Sequence, residues 1–133
     1  MTVIRNAFRV LEVLWAGSLW SLVWVTQTLF GAQGDRHLAG VLAGRLFTVE
    51  TYLGVAVAVV ALLLPGRSKF LWGYLAAALL ALNEWALRPV MAVARTRGAA
   101  WGLTFGAWHG VSMALYVLAC LGVVLLIWNE DSR

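Results

Sequence analysis

The sequence predicts an all-α integral membrane protein, one four-helix bundle across its 133 residues. Three observations carry this. Four apolar runs, Val10–Phe30, Val41–Leu64, Phe70–Val90 and Gly102–Trp128, each reach the ~20 residues a helix needs to cross a hydrocarbon core of about 30 Å. The chain is 62% hydrophobic and 12% charged, with a mean hydropathy of +0.84. The connections Gly31–Gly40, Pro65–Lys69 and roughly Met91–Trp101 are too short to hold a water-soluble domain. In lipid each backbone N–H and C=O must be paired within its own segment, which selects helices. No stretch alternates apolar and polar as a transmembrane barrel strand would.

The four helices are expected roughly over 8–31, 41–64, 70–92 and 101–128. The first follows Arg5 and Arg9, and its apolar stretch is too long for the 7–15 residue core of a removable signal peptide, so it is expected to be retained. The second carries Ala43, Gly54 and Ala61 on one stripe. In the third, Pro89 removes the donor that would bond Trp85, so this helix should kink or end near Arg88. The fourth has Gly102, Gly106, Gly110 and Ala114 four apart. That ridge lets a neighbouring backbone approach closely, within the chain or in a homo-oligomer.

Four spans put both termini on one side. Arg5, Arg9, Arg67, Lys69 and Arg133 are assigned to that face, and Arg36, Arg95 and Arg97 to the other. The bias favours cytoplasmic termini, as expected of a multi-pass protein of a bacterial inner membrane. Trp72 and Trp128 are expected at one interface and Trp101 at the opposite one. The net charge of +4 is scattered between helices rather than gathered on a face, which excludes nucleic acid and leaves the lipid bilayer as the first partner. The single cysteine, Cys120, excludes an internal disulfide and a thiolate zinc site within one chain.

Polar residues inside the runs are the candidates for function. At 1.5 Å per residue, Glu50 lies about 14 Å from the start of the second run, His109 about 10 Å from the start of the fourth, and Glu84 about 12 Å from the end of the third helix near Ala92. Gln27 lies nearer the surface, with Arg45, Asn83 and Arg88 at intermediate depth. All are measured from the non-terminal face, so the four helices contribute to one polar layer. Glu84 and Arg88 are four apart with the acid first, the order that suits an in-helix ion pair. Phe105, His109, Ser112, Met113, Tyr116 and Cys120 share one face of the fourth helix. Glu50 shares its face with Ala43 and Gly54 and should point at a closely packed neighbour. Arg45 is turned away from Glu50 and should reach another helix. Charged groups at mid-bilayer cost about 2.5–3.5 kcal/mol each on insertion scales, so they are expected to meet one another or a hydrated cavity. The competing interpretation is structural: a Glu84–Arg88 pair, snorkelling arginines and a packing histidine.

The segments Leu38–Glu50 (LAGVLAGRLFTVE), Asn83–Met91 (NEWALRPVM) and Phe105–Tyr116 (FGAWHGVSMALY), in that order, resemble the signature segments of the transmembrane protein 205-like family. That family is a four-helix membrane domain of unknown function, and the resemblance covers nearly the whole chain. It implies a shared site at the residues that depth selects. Here Arg88 precedes Pro89 and Val90 follows it, whereas a basic residue often follows the proline in the family. Through an animal member associated with platinum-drug resistance, and a distant similarity to the membrane domain of bacterial copper-resistance proteins, the resemblance implies metal or drug handling.

These observations predict a protein that binds or transports a small cation, metal or polar solute. Glu50 would be the anchor, His109 its partner, and Glu84, Asn83, Arg45, Arg88, Gln27 and Ser112 the surroundings. As metal ligands, His109, Met113 and Glu50 form a thin set that Met91 would have to complete. The alternative is an accessory or assembly subunit of a larger membrane complex. No cofactor is specified, and one intramembrane histidine cannot ligate haem from both sides within one chain. An enzyme is not expected: Ser112 and His109 share a helix face, but no nucleophile elbow surrounds them.

Overall fold

A computed structural model describes residues 2–131, with side chains defined for all of these but 67, 68, 130 and 131. Four helices are long and apolar enough to cross a membrane, as the sequence predicts. Helix α1 spans Thr2–Ala32 and α2 spans Arg36–Leu63. Asp35 caps α2, its carboxylate accepting from the backbone N–H groups of His37 and Leu38 at 2.9 and 3.2 Å. That cap starts α2 at Arg36, ahead of the apolar run at Val41. A Pro65–Gly66 turn, with Gly66 at φ 83°, and a 3-10 turn at Arg67–Phe70 lead into the third span.

The third span is α3 (Leu71–Leu82), a π-helical turn (Asn83–Leu87) and α4 (Arg88–Arg97). Proline cannot donate to the carbonyl one turn back, and its ring crowds that carbonyl. The chain responds by widening the preceding turn, so that the Arg88 N–H bonds the Asn83 carbonyl. Pro89 therefore does not end the span, and the helix runs on to Arg97 rather than stopping near Ala92. Gly98, at φ 85°, closes it.

A two-residue hairpin follows, with β1 (Ala99–Ala100) antiparallel to β2 (Leu103–Thr104). Its turn residues Trp101 and Gly102 have φ of 52° and 76°, the positive values such a tight hairpin demands. Helix α5 then spans Phe105–Asp131. Gly102 thus belongs to the turn and not to a helical ridge. Arg133, assigned to the terminal face from the sequence, lies outside the described residues.

The spans close into a ring: α1 packs on α2 and α5, and α3 on α2 and α5. Trp15 and Leu19 of α1, Val57 and Ala61 of α2, Ala76, Ala77 and Leu80 of α3, and Tyr116, Ala119, Val123 and Leu126 of α5 fill the core. Small residues set the close approaches, because dispersion rather than hydrophobicity draws helices together in lipid. A methyl at Gly122 would lie 3.3 Å from both the Ala76 Cβ and the Trp72 carbonyl oxygen. One at Gly54 would lie 2.9 Å from Trp15 Cζ2. The ridge predicted to pack, by contrast, faces outward. Gly106, Gly110 and Ala114 are exposed, and a methyl at Gly110 would meet nothing within 4 Å. The outer faces also carry exposed Trp24, Leu63, Leu71 and Trp85, an apolar surface that a bilayer covers. This is a multi-pass membrane protein.

Candidate functional site

The polar layer expected from depth is divided between two sides of α2. Thr48 and Glu50 are two residues apart, so a helix turns them about 200° from each other. Thr48 faces the third span and Glu50 faces α1 and α5.

On the Thr48 side the polar groups are paired. The Thr48 hydroxyl donates to Glu84 Oε1 at 2.8 Å and accepts from Arg88 Nη1 at 2.5 Å. Arg88 also pairs with Glu84 at 2.5 Å, the in-helix ion pair that the spacing predicts. Gly44 makes room for the guanidinium, since a Cβ there would sit 3.0 Å from Arg88 Nη2. One residue before Glu84, Asn83 exchanges two bonds with Ser112 of α5: its amide donates to the Ser112 carbonyl at 3.2 Å, and the Ser112 hydroxyl donates to Asn83 Oδ1 at 2.6 Å. Both acceptor–donor sets hang on the π-helical turn, which aims Asn83 at α5 and Glu84 at α2. Charge and hydrogen bonds are balanced here, and the cluster reads as a clasp between helices.

The Glu50 side is different. Glu50 is 6% exposed, and its Oε2 has no hydrogen-bond partner. Ser18 of α1 lies beside the carboxyl group, with Tyr116 and Cys120 of α5 within electrostatic reach. Each of these donors is directed elsewhere. The Ser18 hydroxyl donates to the Trp15 carbonyl at 2.9 Å, the Tyr116 hydroxyl donates to the Leu19 carbonyl, and the Cys120 thiol lies 4.0 Å from that same carbonyl. Thr51, buried next in sequence, donates to the Phe47 carbonyl at 3.0 Å. Trp15 is wholly buried, and its indole N–H is likewise unpaired. Phe47 meets Tyr116 edge-on, with centroids 5.0 Å apart, closing the centre of the bundle.

His109 does not join Glu50. It is exposed near the start of α5 and stacks on Phe105, centroid to centroid 5.8 Å, while the Arg95 guanidinium lies 4.5 Å from the same Phe105 ring. Its helix face is that of Tyr116, as the periodicity predicts, but Tyr116 is buried where α1 and α5 meet and His109 is not. Met113 and Gln27 are exposed as well. Arg45 is exposed on α2 and makes no ion pair among the described residues. The metal-ligand set of His109, Met113 and Glu50 is thereby dispersed. Among the described residues, no three His, Cys, Asp or Glu side chains gather as a metal site.

Three residues of weight escape the sequence reasoning. Trp15 and Ser18 look like ordinary members of a Trp-rich apolar helix, and only packing reveals that Ser18 borders Glu50 and that Trp15 lies against Gly54, one turn away. Glu12, 2% exposed on α1, is the third. Its signal was present, since an acid three residues after Arg9 interrupts the first apolar run.

Residues 10–100 match the model of a family described as a domain of unknown function (DUF4149), and the chain belongs to that family. The match takes in Trp15, Ser18, Glu50 and the Thr48–Glu84–Arg88 clasp. No curated protein and no solved structure matches.

Proposed function

For this member of the DUF4149 family we propose a cation-binding role inside the membrane, with Glu50 as the binding group and no chemical catalysis. The observation that carries it is the unpaired Oε2 of a buried carboxyl group amid committed donors. A carboxylate oxygen without a donor in a low-dielectric interior is satisfied by a proton or by a small cation. The paired clasp supports this division of labour, because Glu84 already has its countercharge in Arg88 while Glu50 has none on α2. Exchange with the non-terminal side would pass the open first turns of α5, where His109 and Gln27 are exposed. We propose in addition that the chain is of the transmembrane protein 205-like kind, a resemblance that supports handling of small charged species. The distribution of arginines supports cytoplasmic termini in a bacterial inner membrane.

The test is ion flux in liposomes. Replacing Glu50 with Gln keeps the size of the side chain and should abolish flux, and unchanged flux would refute the proposal.

A second reading, an accessory subunit of a membrane complex, draws on the outward ridge of Gly106, Gly110 and Ala114, which no helix of this chain covers. Purification in mild detergent separates the two. A stoichiometric partner favours the accessory role, and a lone small protein favours the first.

A further inference from the structure

Two buried polar atoms with opposite needs lie at the same α1–α2 contact. Glu50 Oε2 wants a donor, and the Trp15 indole N–H wants an acceptor. The indole turns its Cζ2–Cε2 edge, the edge that bears the nitrogen, onto Gly54, at 2.9 and 3.3 Å from where a Cβ would stand. Gly54 is one turn beyond Glu50 on the same helix face. Ser18, one turn beyond Trp15, lies beside the Glu50 carboxyl. The side chains that bear the two unpaired atoms are therefore about one turn apart along the same contact.

The pair discriminates between ligands. A metal ion or an ammonium group offers no lone pair to the indole N–H, and its positive charge would face the positive end of that dipole. A water molecule answers both atoms, accepting from Trp15 and donating to Glu50. The other groups facing Glu50 do not supply a cation cage. Tyr116 and Cys120 are titratable side chains of α5 there, α1 adds Trp15 and Ser18, and α3 brings the hydrocarbon of Leu80 against Gly54.

We infer that the cation bound at Glu50 is the proton, exchanged through one water molecule held between Trp15 Nε1 and Glu50 Oε2. This deepens the proposed function and rests on it. On uptake the bound water gives one of its protons to Oε2 as it takes one from the water side, so that it stays a neutral molecule accepting from Trp15. On release the carboxylic acid returns the proton to the same water. Nothing is oxidised or reduced, and no other co-reactant is required. The indole holds the water in line and is a positioning residue.

The experiment uses the full chain in sealed vesicles carrying an internal pH dye, with a potassium-diffusion potential as driving force. Proton uptake should persist when external sodium is replaced by choline. Glu50→Gln should abolish it, and Trp15→Phe, which keeps an aromatic but smaller ring and removes the N–H, should slow it about ten-fold, the value of one buried hydrogen bond. Labelling of Glu50 by a hydrophobic carbodiimide, read by mass spectrometry, supplies a measurement independent of flux. It should rise as pH falls and should not be blocked by 0.1 M-scale sodium, potassium or lithium, in wild type as in folded Trp15→Phe. Protection by any of these metal ions, or flux that needs Glu50 but is carried by sodium and indifferent to Trp15→Phe, would overturn the proton assignment and leave Glu50 as a cation site. Labelling absent at every pH, together with flux unaltered by Glu50→Gln, would overturn the parent proposal as well.

Discussion

The hydroxyl of Tyr116 donates to the main-chain carbonyl of Leu19 across the α1–α5 contact, and so it is withheld from the Glu50 carboxyl group beside it. The bond ties the two helices at the depth of the candidate site, and Glu50 Oε2 is left without a donor.

Tyr116→Phe should therefore weaken the fold without disabling Glu50. Loss of one buried hydrogen bond is expected to cost about 0.5–1.5 kcal/mol in reversible unfolding. Carbodiimide labelling of Glu50 should remain near the wild-type level. A strong loss of labelling in a folded variant would show that Tyr116 serves the carboxyl group directly.

The clasp makes a different prediction. Thr48 both donates to Glu84 and accepts from Arg88, so Thr48→Val removes two bonds and leaves the ion pair in place. A loss of about 1–2 kcal/mol is expected. Arg88→Leu should cost more than Thr48→Val, because Glu84 then stays largely buried without its countercharge. Equal unfolding midpoints for the two variants would contradict this ordering.

At Gly54 the expected effect is steric. The Cβ of Gly54→Ala would stand 2.9 Å from Trp15 Cζ2 and 3.2 Å from Leu80 Cδ1, so the indole must move. Overpacking of this kind costs about 1–3 kcal/mol. Displacing the N–H edge should also slow proton uptake, to an extent comparable with Trp15→Phe. A variant that is fully stable would show that the indole has room to spare.

Gly110→Leu is the control. A Cβ there meets nothing within 4 Å and the residue is exposed, so replacing glycine inside the helix should leave the fold unchanged or stabilise it by up to about 1 kcal/mol. Thermal unfolding in detergent checks this. If instead a co-purifying partner is lost, the accessory-subunit reading gains its evidence.

The existence of four spans was legible in the chain, as were the Glu84–Arg88 pair and the Glu50 face shared with Ala43 and Gly54. A bilayer obliges every spanning segment to be long, apolar and internally hydrogen-bonded, and such constraints act on each segment alone. The pairing of groups from different segments was not legible. His109 and Tyr116 occupy one face of α5, yet only Tyr116 is covered, because coverage depends on where α1 lies. Gly106 and Gly110 spell a packing ridge in one dimension, and Gly54 and Gly122 do the packing in three. The sequence by itself determined which residues sit at which depth, since rise per residue converts position into height. Which of them meet, and that Trp15 and Glu50 are both left wanting a partner at one contact, was decided only by tertiary packing, since neighbouring helices must fit their small and large side chains together before any polar atom finds or misses its match.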